Sequence, residues 1–214
     1  MVDPADLRRE YADAGLHESD LAPDPFAMFE RWFAEANAAE LYEPNAMVVA
    51  SVSADGAPSS RMVLLKGFSS AGWVFFTNLE SRKGSELLAN PACALLFPWH
   101  PLERQVRIEG TAAPLDRPAV EAYFARRPRG SQLGAWASPQ SQPVAGREAL
   151  DARYDEVTAR FEGAETVPVP PQWGGFLVSP SVVEFWQGRP GRMHDRLVYR
   201  RTDSGEWGLE RLAP

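Results

Sequence analysis

Soft and borderline metal ligands are scarce in this chain of 214 residues, which has one cysteine, Cys93, and three histidines, His17, His100 and His194. A lone cysteine closes no internal disulfide, so nothing favours an oxidising destination. Within ACALLF it reads as a small buried apolar residue. The histidines are scattered and lack the spacing of a metal site, so no metal is expected. No apolar run approaches the roughly 18 residues of a membrane span. The opening MVDPADLRREYADAG has no apolar core of the signal-peptide kind, and a cytoplasmic location is the expectation. A basic excess is also missing. The net charge of -7 and pI near 5.1 argue against nucleic acid or an anionic membrane as the main partner. An anionic ligand must therefore be met by cations gathered locally. GxGxxG, P-loop and G-x-S-x-G signatures are absent too, so dinucleotide, nucleotide-triphosphate and serine-elbow folds lose support.

What is present reads as a polar arm over residues 1–24 followed by one domain over 25–214. Asp24-Pro25 opens a helix with a stripe of Phe26, Phe29, Phe33 and Ala36 that fades near residue 40. From Ala46 the period changes to two. AMVVASVS, a turn at Asp55-Gly56 and the returning SSRMVLLKGF read as a hairpin, and WVFFTN follows. Ser81 caps a helix over RKGSELLAN, and CALLFPW and RQVRIEGTA continue the strands. Antiparallel-looking strands with one short inserted helix predict a small closed barrel rather than a βαβ sheet. Asp116 caps a further helix, DRPAVEAYFARR. RPRGSQLGAWASPQSQPV reads as a connection without periodicity, long enough to suspect function. Arg147 to Phe161 reads as a charged amphipathic helix. FLVSP, VVEFWQG, DRLVYRR and EWGLERL close the chain as strands of the same sheet.

Four constellations carry candidate chemistry. Arg61, Lys66, Arg82 and Lys83 stand at the ends of apolar runs, the last two at a helix start where an anion is already favoured. On one regular strand Arg61 and Lys66 would be roughly 16 Å apart on opposite faces, so they reach two ends of a ligand only if the strand bends near Gly67. Gln105, Arg107 and Glu109 alternate with Val106 and Ile108, as a half-exposed strand does. Tyr123 and Arg127 share a helix face, with Ser131 just beyond, a reasonable grip for phosphate. Arg192, His194 and Arg196 would share one side of a strand, with Trp186 upstream to stack on a ring. Guanidiniums beside an imidazole repel unless an anion or electron-rich ring joins them.

RMVLLK, FFTNLESRKG, LLFPWHPLERQVRIEG, YFARRPRGSQLGAWASPQS, WGGFLVSP, VEFWQG, RMHDR and the closing RLAP occur in an order that resembles the pyridoxamine 5'-phosphate oxidase family. The likeness runs from the arm's LRREY to the last residue. It implies a mainly β, FMN-binding split β-barrel with flanking helices, and a homodimer with FMN in clefts between subunits. It implies oxidation of pyridoxamine or pyridoxine 5'-phosphate to pyridoxal 5'-phosphate, with oxygen as acceptor and hydrogen peroxide as product. Position by position, the FMN contacts implied are Arg61, Met62, Val63, Leu64, Leu65, Lys66, Phe76, Thr77, Arg82, Lys83, Gln105, Gln140, Ser141, Trp186 and Arg196. Lys66, Tyr123, Arg127 and Ser131 would hold the substrate phosphate. Arg192 and His194 would sit over the pyridine ring as the catalytic pair, and Arg8 and Tyr11 would help close the site. Phe76 stands where some relatives have Tyr, and Met193 where Leu is frequent. A split-barrel reductase, or a flavin or pyridoxal 5'-phosphate carrier, would share the barrel. The phosphate grip and RMHDR argue against the reductase, and oxygen uptake would separate the carrier.

Overall fold

The structure, a computed structural model, describes residues 10–12 and 15–214. Its first long helix, α1 (Pro25–Ala38), begins as the sequence predicts: one Asp24 carboxylate oxygen accepts from the Phe26 and Ala27 N–H groups at 2.9 Å each. Its buried stripe is rotated from the expected one and runs through Met28, Phe29, Trp32 and Ala36, with Phe26 and Phe33 only partly covered. Phe29 meets Phe68, Trp73 and Phe97 edge to face at 4.9, 5.4 and 4.9 Å. That geometry suits the ring quadrupoles and plugs the barrel interior.

The strands are β1 (Ala46–Val52), β2 (Pro58–Leu64), β3 (Gly67–Ser69), β4 (Gly72–Asn78), β5 (Ala92–Trp99), β6 (Arg104–Pro114), β7 (Trp173–Gln187), β8 (Asp195–Arg201) and β9 (Trp207–Leu212). All pairings are antiparallel, in the order β2-β1-β5-β6-β7-β4-β3, with β8 on β7 and β9 on β8. Only Leu65 and Lys66 separate β2 from β3, so the two ends of that path are tied together and the sheet curls on itself. The expected hairpin arm SSRMVLLKGF is thus two strands, broken where the bend near Gly67 was anticipated. FLVSP and VVEFWQG are instead one strand. β7 is the spine: its first half pairs β4, its second half pairs β8, and β6 runs beside both. Between Glu109 and Gly110 the register shifts, a bulge that bends the sheet where it splits. A Cβ on Gly110 would lie 2.2 Å from the Ser179 carbonyl oxygen, so the close approach there requires glycine.

Helix α2 (Arg82–Ala89) is capped by Ser81 and α3 (Arg117–Ala125) by Asp116, as expected. The supposed connection after α3 holds a helix of its own, α4 (Arg129–Ala137), which buries only Gln132 and Leu133. α5 (Arg147–Arg160) lies against α4 and has no fully buried residue; Ala149, Leu150 and Val157 are only half-covered, with Val157 packed on the second core cluster, so its apolar face is weaker than expected. The main core fills the barrel. A second cluster of Val120, Phe124, Leu133, Phe161, Val167 and Trp173 sits under α3–α5. No helix among the described residues is long and apolar enough to cross a membrane.

Candidate active site

A cleft of about 440 Å³ opens between the barrel and the second core cluster. Met62, Val63, Leu64 and Lys66 line it from β2 and the break after it, Phe76 and Thr77 from β4, and Lys83 from α2. Tyr123, Arg127, Ser131 and Gln140 close it from α3, α4 and the segment beyond. Three parallel rings stack at its side: Phe76 lies on Tyr123 at 4.0 Å and 9°, and on Trp173 at 5.3 Å and 4°.

The cleft cations are unusually placed. The Lys83 ammonium is buried, and it donates to Gln140 Oε1 at 2.9 Å, Thr77 Oγ1 at 3.1 Å and Ser81 Oγ at 3.4 Å, all neutral oxygens. Burial, and secondarily the Arg61 charge, depress its pKa below the usual lysine value. The Arg127 guanidinium lies over Trp173 at 4.7 Å and Phe124 at 5.4 Å, and its Nη1 is buried without a hydrogen-bond partner. Burial lowers its pKa too. Among the described residues no carboxylate pairs with Lys66, Lys83 or Arg127.

Arg61 and Arg82 do not line this cleft. Arg61 donates to the Val49 carbonyl at 3.2 Å, to Ser51 and Ser59, and to Glu86 at 3.3 Å. Arg82 Nε donates to Glu86 at 2.8 Å. Leu65 is buried, and its N–H donates to the Asn45 carbonyl at 2.8 Å. Ser141 is exposed beside Gln140, with φ of 70°.

The remaining predicted residues form a second group at the other end of β7. Gln105 on β6, Trp186 on β7 and Arg196 on β8 stand in cross-strand register. The His194 ring lies 4.7 Å from Trp186 and 5.5 Å from Tyr11, and Tyr11 meets Trp186 edge-on at 5.9 Å. His194 Nδ1 accepts from the Arg189 backbone N–H at 3.1 Å. Arg196 is gripped by Glu184 through two bonds of 3.0 and 2.9 Å, and those bonds raise its pKa. The expectation that Arg192, His194 and Arg196 share a strand face is not met. Pro190–Arg192 is a short 3-10 turn with Gly191 and Arg192 at φ of 64° and 63°, and the strand begins only at Asp195. Arg8 lies outside the described residues.

Phe76 pairs with Gly175, and Trp186 stands farther along the same strand. At about 3.3 Å per residue the two groups are on the order of 35 Å apart along β7. Sequence reasoning passed over Glu86, Glu184 and Trp173 as site residues. Glu86 follows Arg82 by one helical turn, a spacing visible in the sequence. The other two are placed by long-range pairing.

Comparison with known proteins locates the chain. The family model described as "Pyridoxamine 5'-phosphate oxidase" matches residues 33–161, and "Pyridoxine 5'-phosphate oxidase C-terminal dimerisation region" matches residues 173–214. The "Pyridoxine/pyridoxamine 5'-phosphate oxidase" of Nocardioides sp. is 63% identical over 213 residues, covering 100% of this chain and 99% of that one. The protein of the same name from Salinibacter ruber is 56% identical, covering 98% of each. A crystal structure of PhzG from Burkholderia lata 383, in complex with tetrahydrophenazine-1-carboxylic acid, superposes with a TM-score of 0.87 at 31% identity, covering 94% of this chain and 99% of that one. A "pyridoxamine 5'-phosphate oxidase-related, FMN binding protein" from Nostoc punctiforme shares the fold at TM-score 0.72 and 18% identity, covering 91% and 100%.

Proposed function

The chain belongs to the pyridoxamine 5'-phosphate oxidase family, and from that premise we propose how its two residue groups share one reaction. The reaction is the FMN-dependent oxidation of pyridoxamine or pyridoxine 5'-phosphate to pyridoxal 5'-phosphate. Oxygen is the final acceptor and leaves as hydrogen peroxide, and the cytoplasm is the proposed location.

The residues fit FMN. A buried ammonium solvated only by neutral oxygens, and a buried guanidinium nitrogen with no partner, are costly unless an anion completes them. The parallel rings of Phe76, Tyr123 and Trp173 give the cleft an aromatic lining that suits planar ligands. Bound FMN supplies the hydride-accepting and oxygen-reactive chemistry that no side chain offers.

The chain's own work is placement. Lys83, Thr77 and Gln140 meet the cofactor's anionic end, backed by Arg61 and Arg82, while Met62 to Leu65 form the edge it lies along. Ser141 lies just beyond Gln140. Lys66, Tyr123, Arg127 and Ser131 take the substrate phosphate. The stack on Phe76 fixes the Tyr123 ring, so its hydroxyl has one direction, and anchoring the far end of the substrate orients the end that reacts.

The second group completes the site from the partner chain. All of it except Gln105 and the arm's Arg8 and Tyr11 falls within the stretch matched as a dimerisation region, and its distance from the cleft along β7 supports the same reading. Trp186, Arg196 and Gln105 would face the cofactor, while Arg192, His194, Tyr11 and Arg8 would cover the substrate ring. A backbone N–H is always a donor, so the bond from Arg189 leaves neutral His194 with its proton on Nε2. His194 therefore presents a hydrogen-bond donor to the substrate ring and is not the proton acceptor while that bond stands.

The observation that carries this reading is the set of cleft cations, Lys66, Lys83 and Arg127, that no described carboxylate neutralises. The purified protein is expected to be yellow and to consume oxygen while converting pyridoxamine 5'-phosphate to pyridoxal 5'-phosphate. A colourless protein that stays inactive after FMN is added overturns the reading.

A further inference from the structure

Glu86 is a nearly buried acid beside Arg61, Arg82 and Lys83, 6% exposed on the first turns of α2. One oxygen, Oε2, accepts from Ser51 Oγ and Ser59 Oγ at 2.6 Å each and from Arg61 Nη2 at 3.3 Å. The other, Oε1, accepts from Arg82 Nε at 2.8 Å. A single carboxylate thus ties β1, β2 and α2 together and fixes two guanidiniums at once.

We propose that Glu86 is a positioning residue for the cofactor phosphate: it aims Arg82 and gathers Arg61 beside Lys83, setting the local charge before the ligand arrives. The inference rests on the FMN reading above and deepens it. The donor inventory supports it. Both terminal nitrogens of Arg61 are committed to Val49, Ser51, Ser59 and Glu86, which leaves its Nε–H. Arg82 spends Nε on Glu86 and has a side chain 61% exposed, so its two terminal nitrogens are held in a fixed fork that faces outward. The charge count fits as well. Arg61, Arg82 and Lys83 contribute three positive charges, which Glu86 and, from the surface, the Asp55 carboxylate near Arg82 offset in part, leaving a net positive place for an anion. Three cations that close would repel one another without the acid among them.

Two physical effects oppose each other in the variant Glu86→Gln, which makes the test decisive. Removing a negative charge makes the site more positive and by Coulomb attraction alone would tighten anion binding. Releasing Arg82 and Arg61 loosens the grip. The proposal requires the second effect to win. Apoprotein is titrated with FMN and, separately, with riboflavin, which lacks the phosphate, following flavin fluorescence. Wild type is expected to prefer FMN strongly. E86Q is expected to bind FMN about tenfold or more weakly while riboflavin affinity stays within about twofold, and to cost less in an Arg82→Gln background than in wild type, the remainder being the share that acts through Arg61. KM for pyridoxamine 5'-phosphate at saturating FMN should stay near wild type. Unchanged or tighter FMN binding overturns the proposal, as does equal loss for FMN and riboflavin, which would signal general damage. If E86Q does not fold, Ser59→Ala, which removes one bond that aims the carboxylate, takes its place with a smaller loss in the same FMN-specific direction, and no loss overturns. Wild type that binds neither flavin sinks the functional reading itself, a result distinct from any of these.

Discussion

Replacing Arg127 by methionine should separate stability from substrate recognition, because the two respond in opposite directions. In the free protein the guanidinium stacks on Trp173 and Phe124, and one of its nitrogens is buried without a partner. The stacking is worth about 1 kcal/mol. The orphaned donor costs about 1–3 kcal/mol. Methionine keeps the apolar contact, loses the stacking and removes the orphan, so the apoprotein should be as stable as wild type or up to about 2 kcal/mol more so. For a chain of this size that is a melting temperature unchanged or raised by a few degrees, at about 2–4 °C per kcal/mol. The phosphate of the substrate loses charge-assisted bonds worth about 1.5–3 kcal/mol, which is roughly a 10- to 100-fold loss of affinity. Calorimetry on apoprotein and titration with pyridoxal 5'-phosphate read the two halves, with unphosphorylated pyridoxal as the control that should not change. Lower stability with unaltered phosphate affinity would refute the reasoning and make Arg127 a structural cation.

Arg192→Ala should reduce kcat/KM by about 100-fold or more while FMN retention stays near wild type; equal loss of both would move Arg192 to the cofactor. Gly72 has φ of 141°, and a Cβ there would lie 2.0 Å from the Val178 carbonyl oxygen. Gly72→Ala should therefore cost about 2–4 kcal/mol, and a melting point within a degree of wild type would contradict the packing described. Burial pushes the Glu86 carboxyl up, but bonds from Ser51, Ser59 and Arg82 outweigh it and hold the group at about 2, against an ordinary value of 4.5. A depressed acid adds stability that is fully present above the unfolded value and is lost as the pH falls from about 4.5 toward 2. Acid unfolding followed by circular dichroism should be shallower in E86Q across that window, and superimposable curves would remove the hub from the account.

The barrel was legible because its strands alternate and its helix starts are chemically marked. Asp24, Ser81 and Asp116 each accept the N–H bonds that their positions implied. α4 was missed because it carries glycines at positions 130 and 134, lacks a side-chain cap and buries only two residues, so no stripe shows. β7 was read as two strands because Pro180 interrupts it. The bulge opposite Gly110 is where a strand tolerates a residue without an N–H. At the site, the residue types in the cleft could be named from the family likeness, and the opposite-face argument for Arg61 and Lys66 agrees with the break at residues 65–66. The capture of Arg61 by Ser51, Ser59 and Glu86 depends on contacts distant in sequence, which no local pattern records.

Subunit complementation tests the central claim most directly, that cleft and cover come from different chains. Arg127→Ala disables the cleft and His194→Ala the cover, and each homodimer should be nearly inactive. Equal amounts, co-expressed and assembled at random, make half the dimers mixed, each with one intact site of two, so about a quarter of wild-type oxygen uptake should return. Activity that stays at the level of the two parents would mean that Arg127 and His194 serve the same site from the same chain, and the two-chain account would be wrong.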